Sequence, residues 1–433
     1  MMKWNIKFKE ELHTELTETL FSNSPKENGC FLLANIKGNV LFISEIYYPE
    51  NTDWIILDKD VCIPSPQYIS KACIHANIKN KTLVFVHTHP EEFHTSLFSP
   101  IDDISNTKLF KNLEGIINKP LGSFVLSRKG IHGVIYNNGK QFQIEKYSVY
   151  GDKVKILKDV SSVQDVFDNK EFDRQIRFLK ERGQNTISNL NIAVIGLGGT
   201  GSPLAVMLAK MGVKNISLFD FDILEKHNLP RIYGASKSDI GKYKVDIVKK
   251  HINSFSDSTV KVYTNDIQRD SDLTSFDFIF GCIDNHTARD ILNTIAFKNA
   301  IPYIDTGTSI PLGNNGEVSQ SVIAVNTVIP NRPCLWCSNT LNAMNIMEEN
   351  MSDNELVERK NDGYLQGVEK TPSIITLTTA VSTFAINRML NLLNILPGKY
   401  PLKMMFEFNN SMYISPKVEL NKSCICQKLN PFN

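Results

Sequence analysis

Residues 196–201 read Gly-Leu-Gly-Gly-Thr-Gly, and this glycine-rich segment joins an apolar run at residues 191–195 to a helical pattern at residues 202–211. Glycines at such a junction let the backbone approach a phosphate, and the N-terminus of the following helix supplies positive potential. The alternation continues with a helical pattern at residues 242–253 and a strand-like run at residues 276–282. Strands that alternate with helices imply a parallel sheet with right-handed crossovers. We therefore predict an α/β domain that binds a nucleotide in the second half of the chain.

The polar residues near this loop bear on which nucleotide it binds. Asp220 ends a predicted strand at residues 215–220 and is suited to hold ribose hydroxyls. A glycine loop with such an acid is commonest in NAD-binding proteins, so a dehydrogenase is one alternative. The other polar residues are Arg174, Asn228, Arg231, Lys244, Asp284 and Arg289. Several cations and an Asp suit a triphosphate with Mg²⁺, whereas a hydride-transfer site needs no such phosphate clamp.

This set closely resembles the ThiF/HesA/MoeB-type adenylyltransferases of the ubiquitin-activating superfamily, over residues 170 to 428. The resemblance implies a Rossmann-like, doubly wound and mostly parallel sheet that uses ATP and Mg²⁺. The residues that it places around ATP are Gly196, Gly198, Gly199, Gly201, Asp220, Asn228, Arg231 and Lys244. Among them, Asp220 would hold the ribose and the last three would grip the phosphates. Asp284 would bind Mg²⁺, and Arg174 would complete the site of a second subunit in a homodimer. The implied reaction is attack of a protein's C-terminal carboxylate on the α-phosphate, with release of pyrophosphate.

Four of the eight cysteines form two close pairs, Cys334 with Cys337 and Cys424 with Cys426. Two pairs in distant segments are typical of a four-thiolate structural zinc site, and the same resemblance implies one here. The second pair is Cys-x-Cys in place of the family's Cys-x-x-Cys. The remaining cysteines are scattered, and we expect them to be buried: Cys30, Cys62, Cys73 and Cys282.

Many members of that family carry a further cysteine that takes the activated protein as a thioester. Between Cys337 and Cys424 this chain has none, and the corresponding crossover region reads Gly-Tyr-Leu-Gln-Gly at residues 363–367. The enzyme therefore either only adenylates or recruits a thiol from elsewhere. Cys282 is close in sequence to Asp284, but it ends a predicted buried strand, so we expect it to serve packing.

A second group of residues with metal-binding chemistry lies in the first half of the chain. His87 and His89 end an apolar run, and residues i and i+2 of a strand project from the same face. Further on, Ser99-Pro100-Ile101-Asp102 places a carboxylate in the first turn of a predicted helix. Two His and one Asp would leave zinc an open position for water, as a hydrolase requires. The alternative is that Ser-Pro-x-Asp is only a helix N-terminus.

These residues resemble the JAMM (MPN-plus) metalloproteases, whose pattern is a Glu, then His-x-His-Pro, then Ser-x-x-Asp. The resemblance covers about residues 1–145 and implies a cytidine-deaminase-like α+β domain. It implies that His87, His89 and Asp102 bind zinc, with Glu27 as general base and Ser99 as donor to the oxyanion. Glu91 and Glu92 are rival bases that follow Pro90, and we rank them lower because a loop there points toward solvent.

The length of 433 residues favours two domains. We predict an α+β metalloprotease domain at residues 1–150, a linker at residues 151–169 and an adenylation domain at residues 170–433. In the first domain we expect helices at 8–22 and 101–113. The expected strands there are at 30–34, 40–46, 83–87, 123–126 and 133–136.

The 47 Lys and Arg residues balance the 46 Asp and Glu residues, which gives no electrostatic argument for nucleic acid or an anionic membrane. The sequence shows no signal peptide and no apolar run long enough to span a bilayer. We therefore expect a cytoplasmic protein.

Three functions are compatible with these motifs. The first is a bifunctional enzyme that trims or deconjugates a ubiquitin-like protein and activates its C-terminal Gly, with a conjugating enzyme as a further partner. The second is activation of a sulfur-carrier protein or peptide for cofactor or natural-product synthesis. The third is an inactive JAMM half that serves as a scaffold, which the complete Glu/His/His/Ser/Asp set argues against.

Overall fold

A computed structural model of the protein describes residues 3–90, 97–128, 130–159, 170–313, 315–352, 355 and 372–433. Glu91, Glu92 and the crossover segment 363–367 lie outside the described residues. The chain divides into two compact units. One contains Met1–Val166 together with Pro431–Asn433, and the other contains Phe167–Asn430.

The first unit is built on an eight-stranded sheet and a separate two-stranded sheet. Its strands are β1 (Trp4–Lys9), β2 (Gly29–Lys37), β3 (Val40–Tyr47), β4 (Trp54–Leu57), β5 (Cys62–Pro64), β6 (Thr82–His89), β7 (Leu121–Ser127), β8 (Ile131–Asn137), β9 (Lys140–Tyr150) and β10 (Val154–Lys158). The order in the large sheet is β1-β3-β2-β6-β7-β8-β9-β10, and β1 also pairs with β9 in parallel. The small sheet pairs β4 with β5.

Helices cover both faces of the large sheet. They are α1 (Glu10–Phe21), α2 (Pro66–Ile78) and α3 (Pro100–Leu113), with a 3₁₀ turn at Asn51–Asp53. Leu16 and Leu20 of α1 pack against one set of strand residues. Residues of α2 and α3 pack with Phe31 and Phe85, which point to the opposite face. Alternating strand residues therefore belong to two separate hydrophobic cores, because successive side chains of a strand project to opposite sides of the sheet.

The second unit contains an eight-stranded sheet in the order β13-β12-β11-β14-β15-β16-β17-β18. Its strands are β11 (Asn191–Ile195), β12 (Asn215–Phe219), β13 (Thr259–Tyr263), β14 (Phe278–Gly281), β15 (Tyr303–Ser309), β16 (Val322–Val328), β17 (Lys403–Glu407) and β18 (Met412–Ile414). The strands from β13 to β15 are parallel, and β16, β17 and β18 add antiparallel pairings at one edge. The expected α/β fold with a mostly parallel sheet is confirmed in these coarse terms.

The helices of the second unit connect these strands. They are α4 (Asp173–Ser188), α5 (Gly201–Lys210), α6 (Lys244–Asn253), α7 (His286–Asn299), α8 (Ala343–Glu349), α9 (Ile375–Leu392) and α10 (Cys426–Leu429), with 3₁₀ turns at Lys226–Asn228 and Lys237–Asp239. Lys180 interrupts α4 with a φ of 60°. Within the described ranges, no helix is long and apolar enough to cross a membrane.

The domain boundaries differ in two places from those expected. Residues 154–158, expected in a linker, form β10, which pairs antiparallel with β9. β10 is an edge strand in which more buried and less buried residues alternate. Its lysines give residues 154–158 the charged composition that is typical of a linker. The last three residues, expected in the adenylation domain, belong to the first unit, where Phe432 is buried against Phe42.

Candidate active sites

The first candidate site lies at the ends of β2 and β6, the neighbouring strands that carry its histidines. His87 pairs with Gly29, and a Cβ on that glycine would lie 2.8 Å from the carbonyl oxygen of Val86 and 3.4 Å from Cβ of His87. The close approach of the two strands therefore requires glycine. Glu27 lies two residues before β2, and its backbone N–H donates to the carbonyl of Asp58 at 2.9 Å. The sheet thus brings Glu27 beside the two histidines.

The ligand-type atoms of this site converge on one small volume. One side-chain atom each from Glu27, His87 and His89 lie within 4.8 Å of one another, and all three residues are buried. Nε2 of His89 is 3.4 Å from Oε1 of Glu27 and 3.4 Å from Oδ2 of Asp102. Nε2 of His87 is 3.3 Å from Oδ1 of Asp102. The structure therefore brings together the four residues that the sequence assigned to a metal and its base.

The N-terminus of α3 holds the Asp102 carboxylate in place. Ser99 is the N-cap, and its Oγ accepts a hydrogen bond from the backbone N–H of Asp102 at 3.2 Å. In return, Oδ2 of Asp102 accepts from the backbone N–H of Ser99 at 2.7 Å. This is a capping box, so the helix-cap alternative describes the local structure correctly. The same carboxylate still faces both histidines, so Asp102 belongs both to the helix cap and to the cluster of ligand-type atoms.

Burial and charge act in opposite directions on the two carboxyl groups. Burial raises the pKa of Glu27 to about 8, with a further contribution from the charge of Asp102 and against the influence of His89. Burial also opposes ionisation of Asp102, but the nearby imidazoles of His87 and His89 hold the pKa of this carboxyl well below its usual range. Among the described residues, Oε2 of Glu27 and both ring nitrogens of His87 are buried without a hydrogen-bond partner. A compact set of buried nitrogen and oxygen donors with such unsatisfied atoms fits a divalent metal ion.

The second candidate site lies at the carboxyl ends of β12, β11 and β14, which are adjacent in the sheet. The glycine loop follows β11, Asp220 follows β12 and Asp284 closely follows β14. Gly196 has a φ of +85°, and a Cβ there would lie 2.4 Å from the carbonyl oxygen of Cys282, so this turn requires glycine. Open α/β sheets bind ligands at this edge, so the topology supports a nucleotide site.

Asp220 is held by the loop that it faces. Its Oδ2 accepts from the backbone N–H of Leu197 at 2.6 Å, and its Oδ1 accepts from the backbone N–H of Asp222 at 2.8 Å. Burial raises the pKa of Asp220, and these backbone bonds together with the charge of Lys244 oppose that rise. The carboxylate is therefore fixed beside the glycine loop.

The residues assigned to the phosphates lie near the carboxyl edge of the second sheet, and each makes a different contact. Lys244 is buried, and its Nζ donates to Oδ2 of Asp222 at 2.6 Å. The side chain of Asn228 accepts from the backbone N–H of Glu225 at 3.1 Å. Cβ of Arg231 lies 3.3 Å from the position that a Cβ on Gly199 would take, so this residue is beside the loop.

Two residues assigned to catalysis are exposed in the structure. Asp284 lies just before the N-terminus of α7 with an exposed side chain. Arg174 is exposed in the first turn of α4. Within a single chain, Asp284 therefore lies near the carboxyl end of β14, in the second candidate site, and Arg174 lies at the surface.

The structure adds polar residues that the sequence analysis did not assign. Asp222 pairs with Lys244, as described above. Asp305 is fully buried in β15, where it accepts from the hydroxyl of Tyr303 at 2.9 Å and from Nδ2 of Asn326 at 2.9 Å, with Nε of Arg289 at 3.3 Å. The Asp-Phe-Asp sequence at residues 220–222 could have indicated Asp222. Asp305 is a single acid within an apolar strand, and no local sequence pattern indicates its role.

The four cysteines predicted to bind metal form one cluster. Their Sγ atoms lie within 4.8 Å of one another, with Cys334 to Cys424 at 3.6 Å and Cys337 to Cys426 at 3.9 Å. None of the four is in a disulfide. A tetrahedral site with Zn–S bonds of about 2.3 Å places neighbouring sulfurs about 3.8 Å apart, so this cluster has the dimensions to hold one ion.

Of the four scattered cysteines that we expected to be buried, Cys30 and Cys73 are buried, whereas Cys62 and Cys282 are only half-buried. Burial raises the pKa of the Cys282 thiol to about 12. Because the thiolate is the nucleophile, a thiol that ionises so weakly is a poor acceptor for an activated carboxylate.

Residues 172–427 match the model of the ThiF family. Over 186 residues, the chain is 27% identical to the molybdopterin-synthase adenylyltransferase of Escherichia coli strain K12, an alignment that covers 41% of this chain and 72% of that protein. Over 156 residues it is 30% identical to SUMO-activating enzyme subunit 2 of Dictyostelium discoideum, which covers 34% of this chain and 23% of that protein. A solved structure of E. coli MccB covers 59% of this chain and 74% of its own, with a TM-score of 0.47 and 17% identity. The family match includes more than half of the chain and lies within the second unit. This chain belongs to the ThiF family.

Proposed function

We propose that the second unit activates the C-terminal carboxylate of a small protein by adenylation with ATP. The observation that carries this proposal is the meeting of the glycine loop, Asp220 and Asp284 at the carboxyl ends of three adjacent strands. Membership of the ThiF family supports it, as do relatives named as adenylyltransferases and ubiquitin-like modifier-activating enzymes. A dehydrogenase is disfavoured because the surrounding side chains supply cations suited to phosphates.

The residues of this chain would bind ATP and orient it for attack. Backbone amides of the loop, with Gly196, Gly198, Gly199 and Gly201, would face the phosphates, and Asp220 would hold the ribose. Arg231 and Lys244 would neutralise phosphate charges, and Asn228 would donate a hydrogen bond to a phosphate oxygen. Lys244 donates to Asp222 in this structure, so it would have to exchange that carboxylate for a phosphate oxygen when ATP binds. Mg²⁺, held by Asp284, would supply further charge neutralisation at the phosphates.

The substrate class follows from the relatives rather than from a pocket in this chain. We propose a ubiquitin-like or sulfur-carrier protein that ends in Gly, with a conjugating enzyme as partner in the ubiquitin-like case. The product would remain a bound acyl-adenylate. No cysteine lies between Cys337 and Cys424, and Cys282 ionises only with difficulty.

Two structural features of the second unit would support this reaction. Cys334, Cys337, Cys424 and Cys426 would hold a structural zinc that ties two distant segments together. The exposed Arg174 would reach the nucleotide of a second copy in a homodimer, since its own chain leaves it at the surface.

We propose that the first unit is a zinc-dependent hydrolase of the JAMM type that trims or deconjugates the same small protein. The observation that carries this is the cluster of the buried Glu27, His87 and His89 with the half-buried Asp102. Zinc held by His87, His89 and Asp102 would polarise the scissile carbonyl and acidify water. Glu27 accepts a proton from the attacking water and passes it to the leaving amine.

Ser99 would donate to the developing oxyanion. Its hydroxyl serves the α3 cap only as an acceptor, which leaves its proton for the substrate. A single side chain can therefore serve both the helix and the reaction.

Exchange of labelled pyrophosphate into ATP tests the adenylation proposal. With Mg²⁺ and a candidate ubiquitin-like protein ending in Gly, we expect exchange, because adenylate formation is reversible. Asp284→Ala should abolish exchange, and so should Arg174→Ala. Mixing the two inactive variants should restore part of the activity if each homodimer site borrows Arg174 from its neighbour. Unchanged exchange by Asp284→Ala would contradict the proposed site, and no recovery in mixtures with proven subunit exchange would contradict the shared arginine.

A further inference from the structure

His132 and Asp159 form a buried polar pair in the first unit, outside the metal cluster. Nδ1 of His132, on β8, lies 2.9 Å from Oδ1 and 3.0 Å from Oδ2 of Asp159. Oδ2 of Asp159 also accepts from the backbone N–H of Gly133 at 3.0 Å. Because an ionised carboxylate only accepts, this contact keeps the proton of a neutral imidazole on Nδ1 and leaves Nε2 as the acceptor.

The strand register places His132 on the same face of the sheet as the metal-binding histidines. His87 of β6 pairs with Val125 of β7, and Val125 pairs with His132 of β8. Directly paired residues project to the same side, so His87 and His132 stand in one row across the sheet. Two strand spacings separate them by roughly 10 Å, which is about the length of three residues of an extended peptide.

The ring of Phe98 contacts the rings of both His87 and His132. Its ring centroid is 6.0 Å from that of His87 and 5.0 Å from that of His132. Phe98 directly precedes Ser99, the N-cap of α3 and the proposed oxyanion donor. The row from His87 through Phe98 to His132 is therefore continuous with the proposed catalytic cluster.

We propose that His132, held by Asp159, is a specificity-determining residue of the hydrolase. Resting on the hydrolase function proposed above, this inference assigns Nε2 of His132 as the acceptor for a backbone N–H of an extended substrate, about three residues from the scissile bond. Asp159 is a positioning residue that fixes the tautomer and the ring orientation. The enzyme therefore favours substrates whose polypeptide extends from the cleaved bond toward His132.

The test uses full-length protein with zinc and internally quenched peptide mixtures that contain a central Gly-Lys bond. One mixture carries a single residue on each side of that bond. The others extend it by four residues on the amino side or on the carboxyl side. Extension on one side should raise kcat/KM of the wild-type enzyme by roughly three- to tenfold, the effect of one hydrogen bond. His132→Phe, which keeps an aromatic ring but has no acceptor, should lose this gain through KM, with zinc content unchanged.

The matched control is His75→Phe. His75 lies on α2, and its Nε2 contacts Oε1 of Glu45 at 2.7 Å in a similar His–carboxylate pair away from the cluster. This variant should keep the wild-type dependence on peptide length, whereas Asp159→Ala should lose it like His132→Phe. If the wild-type enzyme cleaves and His132→Phe retains the full gain, the inference is wrong while the hydrolase stands. If the zinc-loaded wild-type enzyme cleaves none of the mixtures, both proposals are overturned.

Discussion

Two carboxylates lie beside the paired histidines, and their environments differ. Asp102 contacts both His87 and His89, and these imidazoles hold its pKa below the usual range, as befits an ionised ligand. Glu27 contacts His89 alone, and burial raises its pKa to about 8. A group that binds a proton this readily is better suited to accept one from water. The contacts of Asp102 with both histidines therefore favour it as ligand, and the raised pKa of Glu27 favours this residue as base.

A pair of isosteric variants separates the two roles. Glu27→Gln should retain zinc and lose cleavage of a ubiquitin-like fusion by roughly 10²- to 10⁴-fold, because a proton acceptor is lost and no ligand is. Asp102→Asn should lose zinc as well as activity, because a neutral amide is a weaker ligand. Elemental analysis and a cleavage assay on both variants measure these outcomes. Loss of zinc from Glu27→Gln with retention in Asp102→Asn would reverse the assignment.

At the scale of single elements, the N-terminus of α3 combines a fold-stabilising cap with two groups assigned to chemistry. The chain offers a matched cap at α2, where Oγ of Ser65 accepts from the backbone N–H of Tyr68 at 3.2 Å and Pro66 follows. Both helices therefore begin with Ser-Pro, but only the cap of α3 carries a carboxylate that faces the histidines.

Comparing Ser99→Ala with Ser65→Ala distinguishes the cap from the catalytic role. Each substitution should lower the free energy of unfolding of the first unit by about 1 kcal/mol, since each removes one N-cap. Only Ser99→Ala should also reduce cleavage, by roughly 10²- to 10³-fold, the cost of a lost oxyanion donor. Denaturant titration and the cleavage assay measure both effects. Equal activity of the two variants would remove Ser99 from the mechanism.

The elements that could be predicted from sequence are those with a strong local pattern. The apolar runs of β6 and β11, the helices α3 and α5 and the glycine loop between β11 and α5 were predicted close to their observed bounds. By contrast, β1 was missed because its partners, β3 and β9, lie far away in sequence. The antiparallel edge β16 to β18 was also not predicted, because strand direction depends on tertiary pairing.

The site was predictable to the extent that its residues are close in sequence. The His-x-His and Ser-x-x-Asp motifs each lie on one element, and the structure brings them together with Glu27. The pairs His132–Asp159 and Arg289–Asp305 were missed because only the fold brings their members into contact. A lone His or Asp in an apolar strand gives no local indication of its partner.

At the scale of the whole molecule, the chain carries two units, each with a donor set that could hold a metal ion. The first set is His, Asp and Glu in Met1–Val166, and the second is four cysteines in Phe167–Asn430. The ThiF match includes the second set and none of residues 1–171. The hydrolase proposal therefore depends on the chemistry of the first set, which metal content can test without knowledge of the protein substrate.

Zinc content of purified wild-type protein and of the double variant His87→Ala with His89→Ala tests this account most directly. Elemental analysis should give about two zinc ions per chain for the wild type, one at each donor set. The double variant should keep about one, because the cysteine cluster is unchanged, and thermal unfolding of the second unit should stay the same. A double variant with as much zinc as the wild type would show that His87 and His89 bind none, and would contradict the proposed hydrolase.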